Sequence, residues 1–126
     1  MTYRICKSFT FEAAHRLPAT DSPCQRVHGH SFRLDVEIES ETLTKVGPCI
    51  GMVMDFEDIS VIVKPLLEVS LDHRFLNDTM DTYPTAERLA QSIYKYISPR
   101  LPAKRVVKLV RVRVWETPTC WAEYEK

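Results

Sequence analysis

Two long alternating segments, joined by a loop rich in proline and small polar residues, constrain this chain more than any other feature. From Tyr3 to His15, the residues Tyr3, Ile5, Phe9, Phe11, Ala13 and His15 share one parity, and Arg4, Ser8, Thr10 and Glu12 take the other; Lys7 is the exception. From His28, the residues His28, His30, Phe32, Leu34, Val36 and Ile38 alternate with Gly29, Ser31, Arg33, Asp35, Glu37 and Glu39. A period of two marks a strand with one face buried. Antiparallel pairing across the loop LPATDSPCQR brings His15, at the end of the first strand, beside His28 and His30.

The middle of the chain changes period. Asp55 is the expected N-cap of a helix over FEDISVIVKPLLEVS, with Phe56, Ile59, Ile62, Val63, Leu66 and Val69 at helical spacing and Pro65 predicting a kink or break. A second helix is expected from Thr85, after Pro84, through Leu89, Ile93 and Ile97, and ends at Ser98 and Pro99. The tail VVKLVRVRVWE alternates again, with Val110, Val112, Val114 and Glu116 opposite Leu109, Arg111, Arg113 and Trp115; CWAEYE makes a last short strand.

The order ββααββ predicts the α+β class, with two helices on one face of a four-stranded antiparallel sheet. At 126 residues, 1–126 fit a single domain. Open sheet edges, with Val107, Leu109 and Trp115 on the face away from the helices, predict assembly into a homo-oligomer.

Lysine plus arginine balances aspartate plus glutamate at 17 each, without a like-charge block, so no nucleic-acid or anionic-membrane partner is expected. No apolar run reaches signal-peptide or membrane-spanning length, and the expected location is cytoplasmic. The four cysteines, Cys6, Cys24, Cys49 and Cys120, are sparse and irregular in a chain that can bury its own core, so free thiols are expected.

Histidines at i and i+2 on a strand project to one side, and a third from the neighbouring strand closes a three-histidine set suited to zinc with one position open. Cys24 leaves two readings: a fourth ligand closing a structural site, or a thiolate base beside the metal. Asp72 precedes His73, and an adjacent carboxylate orients an imidazole for proton transfer. Glu116 ends an apolar strand face, where a carboxylate suits a ligand with two parallel N–H donors, such as a pterin or guanine.

The motifs FEAAHRL, C-x-x-x-HGHSF, MDFEDI, LDHRFLN, PTAE and WETPTC, in this order over nearly the whole chain, resemble the 6-pyruvoyl-tetrahydropterin synthase family. HGHSF and ETPTC are most similar to the bacterial 6-carboxytetrahydropterin synthases of queuosine biosynthesis. The resemblance implies a tunnelling fold (T-fold), assembled as trimers whose sheets close a barrel and stack into hexamers. It implies one Zn2+ per subunit on His15, His28 and His30, Cys24 as proton acceptor, and Asp72 with His73 as a second acid/base group. It further implies that Glu116 anchors the pterin and takes part in the same acid/base relay, with Thr85 and Glu87 lining its pocket, and that Cys24 and His73 of one site come from different chains. The implied reaction converts 7,8-dihydroneopterin triphosphate into 6-carboxytetrahydropterin, acetaldehyde and triphosphate; a 6-pyruvoyl-tetrahydropterin synthase and a non-catalytic zinc or pterin-binding module are the alternatives. Arg16, Arg26 and Lys7 are the cations expected near the triphosphate, by sequence proximity.

Overall fold

A computed structural model describes residues 1–103 and 105–126. Strand β1 (Tyr3–His15) pairs antiparallel with β2 (His28–Ser40) in unbroken register from Tyr3 opposite Ser40 to His15 opposite His28. Strands β4 (Lys108–Thr117) and β5 (Cys120–Tyr124) continue the sheet beyond β2. On its other side the two-residue β3 (Arg74–Phe75) lies parallel to β1, giving the order β3-β1-β2-β4-β5. The four expected strands are therefore present, and a short fifth makes the sheet mixed.

The helices cover one face. Helix α1 (Phe56–Leu66) begins at Asp55, whose carboxylate accepts the Glu57 N–H at 2.9 Å. Pro65 has no N–H to offer the carbonyl four residues back, and one residue later the helix passes into a π-type turn, Leu67–Leu71. A single helical turn, α2 (Leu76–Thr79), follows β3, and α3 (Ala86–Ile97) starts under a Thr85 cap that accepts the Arg88 N–H at 3.3 Å. Phe11, Phe32, Leu34 and Ile38 from the sheet meet Ile59, Val63, Leu89, Ile93 and Ile97 from the helices in one core.

Two face assignments are corrected, those of Val107 and Leu109; Val107, just before β4, is half-buried and packs against the core. Leu109 lies in the core, because a bulge puts Leu109 opposite Ile38 while Arg111 faces Glu37, so Leu109 and Val110 are both buried. One inserted residue reverses the parity on one side of it. Trp115 keeps its expected side: its Nε1–H donates to Asp35 at 2.8 Å, and Arg33 stacks on its ring. That face is otherwise laced by cross-strand pairs, Arg4 with Glu39, Arg111 with Glu37 and Arg113 with Glu123.

The return from the π-turn to the sheet depends on His73. It is the only described non-glycine residue with positive φ, at 58°, a left-handed conformation that costs an L-residue on the order of 1–2 kcal/mol. Its N–H donates to the Glu12 carbonyl at 2.6 Å, and the Glu12 N–H donates to Asp72 Oδ1 at 2.9 Å. Asp72 and His73 thus engage both main-chain groups of one β1 residue, and β3 pairs only with Ala13 and Ala14. On the side of β1 away from β2, no described strand flanks Tyr3 to Thr10, and none flanks the outer side of β5.

Candidate metal centre and active site

The unbroken β1–β2 register sets the histidines. His15 stands opposite His28, and His30, one pleat along, stands opposite Ala13. All three imidazoles fall on the helix side, with ring centroids 4.6, 4.9 and 5.2 Å apart. His15 is 1 % exposed, although its strand ends there.

Hydrogen bonds fix two of the tautomers. His15 Nδ1–H donates to the Pro84 carbonyl and His28 Nδ1–H to the Arg26 carbonyl, both at 2.8 Å. A carbonyl can only accept, so each ring carries a proton on Nδ1, and in the neutral ring the lone pair available to a bound ion is that of Nε2. The Nε2 atoms of His15, His28 and His30 are all buried and without a hydrogen-bond partner. Each such orphan costs about 1–3 kcal/mol. A cation bound by all three would offset that cost, and the group can hold a metal ion, its ligand atoms lying within 4.8 Å of one another.

Glu116 flanks this group. It sits at the β4 irregularity between Trp115 and Thr117, with one carboxylate oxygen 3.5 Å from His30 Nε2 and the other 4.0 Å from His15 Nε2. Burial pushes the His30 pKa down and the neighbouring histidines add to this, against the opposing pull of Glu116. A neutral imidazole is the form that binds a metal. Glu116 and Glu87 line one concavity of about 320 Å³ with Ala86 and Cys120. Thr85 is the α3 cap immediately behind that wall.

Cys24 lies in the 3-10 turn Pro23–Gln25, half-buried and outside the three-histidine group. That separation disfavours the closed four-ligand reading. His73 Nδ1 lies 3.1 Å from Asp72 Oδ2, and the ring lines a second concavity, about 500 Å³, with Glu12, His30, Ser31 and Arg74. The Glu12 N–H holds the Asp72 carboxyl below the usual range against the opposing effect of desolvation, and His73 adds to the lowering. His73 immediately precedes β3 whereas Glu116 is on β4, three strand spacings or roughly 14 Å across the sheet. One chain does not bring these two side chains together.

The basic candidates divide. Lys7 faces Val36, eight residues and roughly 26 Å along β1 from His15, too far to reach a ligand there. Arg16 stays close, its Nε–H donating to the Gln25 carbonyl at 3.1 Å, and Arg26 supplies the carbonyl that orients His28. Sequence reasoning missed the Pro84 carbonyl, since a main-chain acceptor carries no residue signature. It also missed the Ser31 hydroxyl, which donates to Glu12 at 2.7 Å in the larger concavity.

Fold and site together define an α+β enzyme whose central strand pair carries a three-histidine group able to hold a metal ion. The profile of the 6-pyruvoyl tetrahydropterin synthase family matches residues 4–126, and the chain belongs to that family. A 6-carboxy-5,6,7,8-tetrahydropterin synthase from Synechocystis is 42% identical over 121 residues, covering 95% of this chain and 91% of the relative. A dihydroneopterin monophosphate aldolase from Pyrococcus furiosus is 37% identical over 116 residues, covering 92% of this chain and 91% of the relative. The 6-pyruvoyl tetrahydropterin synthase structure from Caenorhabditis elegans superposes with a TM-score of 0.82 at 25% identity, over 100% of this chain and 96% of that one. The tunnelling fold of the family is therefore the fold of this chain. Among the described residues no helix is long and apolar enough to cross a membrane.

Proposed function

We propose that the protein is a zinc-dependent lyase, a 6-carboxytetrahydropterin synthase. It converts 7,8-dihydroneopterin triphosphate and water into 6-carboxytetrahydropterin, acetaldehyde and triphosphate for queuosine biosynthesis. The observation that carries the reading is the convergence of three buried, bare Nε2 atoms next to the Glu116 carboxylate, in a chain 42% identical to a synthase of that name.

His15, His28 and His30 hold the zinc, one ion per subunit, and leave a position for substrate. Bound there, zinc supplies Lewis acidity to the oxygens of the substrate side chain. Glu116 accepts two parallel N–H bonds from the pterin, and Glu87 and the Thr85 segment wall the same pocket. Cys24 takes a proton from the side chain, while His73, oriented by Asp72, moves the second proton. Arg16 and Arg26 face the triphosphate.

The roughly 14 Å between His73 and Glu116 argues that a complete site draws on two subunits. Unflanked edges on β1 and β5 suit ring closure between copies, and we read the assembly as a trimer of barrel-closing sheets stacked into a hexamer. Residues 1–126 act in it as one domain, in the cytoplasm, with neither a nucleic acid nor a membrane as partner.

Incubation of the metal-loaded protein with dihydroneopterin triphosphate, with products separated by chromatography and mass, tests the reading. Acetaldehyde and 6-carboxytetrahydropterin are expected, and a chelator should abolish both. A 6-pyruvoyl product would assign the activity named by the family instead, and glycolaldehyde phosphate release from a monophosphate substrate would assign the aldolase activity. Zinc binding without any turnover would leave a binding module.

A further inference from the structure

Tyr83, which none of the steps above uses, sits where three parts of the site meet. Its hydroxyl oxygen accepts the Ala19 N–H at 2.8 Å. Ala19 belongs to the β1–β2 loop that carries Cys24, and no residue from Arg16 to Val27 is buried. A loop without apolar burial is held by its hydrogen bonds. Most of these are internal: the Leu17 N–H donates to the Cys24 carbonyl at 2.8 Å, and the Thr20 N–H and hydroxyl both donate to the Leu17 carbonyl. At the loop's first position the Arg16 N–H donates to Asn77 Oδ1 and the Arg16 carbonyl accepts from the Asn77 amide; past it, among the described residues, the Ala19–Tyr83 bond is the only one from Leu17–Arg26 to a segment outside the loop and the strands it joins.

The two residues after Tyr83 touch the rest of the site. The Pro84 carbonyl accepts from His15 Nδ1, and Thr85 caps α3, whose Ala86 and Glu87 line the concavity beside Glu116. The Thr85 N–H donates to the Tyr83 carbonyl at 2.9 Å, and the proline ring fixes φ between them. Three consecutive residues thereby grip the thiol loop, one metal ligand and the Glu116 wall.

We infer that Tyr83 is a positioning residue: its hydroxyl holds the Cys24 loop in register with His15 and the α3 wall, so that thiol, metal centre and Glu116 address one substrate. The catalytic part of this inference rests on Cys24 acting as the proton acceptor.

The test is Tyr83→Phe in the full-length, metal-loaded protein, which keeps the ring and removes the acceptor. Hydrogen exchange over Leu17–Arg26 and alkylation of Cys24 by iodoacetamide should each accelerate about fivefold, the shift expected from losing one ordinary hydrogen bond. Turnover should fall by about the same factor or more, with KM within about twofold and metal content unchanged. Ala19→Pro removes the donor instead and should give the same pattern. Wild-type exchange and alkylation rates in Tyr83→Phe would overturn the inference, as would a parallel loss of metal and rise in KM, the mark of a general structural role. If the unmodified protein does not turn over the pterin triphosphate, the proposed function fails, while exchange and alkylation still decide whether Tyr83 holds the loop.

Discussion

Glu116 brings a carboxylate oxygen to 3.5 Å from His30 Nε2, although the two residues lie on different strands and far apart in the chain. Glu116 follows the buried face of Val112 and Val114 at the point where the β4–β5 register shifts between Trp115 and Thr117. Glu116→Gln keeps the shape and removes the charge. Zinc stoichiometry should be retained, while pterin affinity falls about tenfold or more, as for loss of a charge-assisted hydrogen-bond pair; isothermal titration with a substrate analogue measures it.

His15 and His28 differ in what their loss should do. His28→Ala is expected to weaken metal binding, read by competition against a chromogenic chelator, with a small change in thermal midpoint. His15→Ala should lose the metal and also destabilise the apoprotein by about 1–3 kcal/mol in urea, because this side chain is buried and bonded to Pro84.

Cys24 stands apart from the three-histidine group. Cys24→Ala should therefore keep its zinc and its oligomeric state while turnover falls by roughly two or more orders of magnitude. Loss of zinc together with the fold would restore the closed, four-ligand reading.

The left-handed conformation of His73 predicts a separation of stability from activity. His73→Gly should unfold at the same temperature as wild type or higher, and His73→Ala should be less stable than the glycine variant by about 1 kcal/mol and unfold below it. Both should be inactive, which thermal unfolding and the product assay report side by side.

Asp35 links pH to stability. Burial alone would raise its pKa, but hydrogen bonds from Ser8, Trp115 and Arg33 outweigh that and hold the carboxyl below the ordinary value. A carboxyl depressed in the folded state contributes stability that is fully present above its unfolded pKa, about 3.9, and is lost as pH falls through the folded value. Wild type should thus exceed Asp35→Asn in stability at pH 7, and the gap should shrink below about pH 4, as urea titrations across that range would show.

Much of the molecule is legible in its residues alone, because strand alternation and helix capping are local effects. The period of two from Tyr3 to His15 and from His28 to Ile38 decided both long strands, their buried faces and the meeting of His15 with His28 and His30. Asp55 and Thr85 marked the helix starts, and Pro65 the break. What only the tertiary structure decided depends on contacts between distant segments. A bulge moved Leu109 into the core, since bulges follow from pairing and not from one strand's pattern. The proton positions on His15 and His28 rest on carbonyls of Pro84 and Arg26, which every residue possesses and only the fold can aim. His73 is held beside Glu12, with Glu116 roughly 14 Å away across the sheet, because a π-turn and a left-handed residue return the chain to the edge of β1.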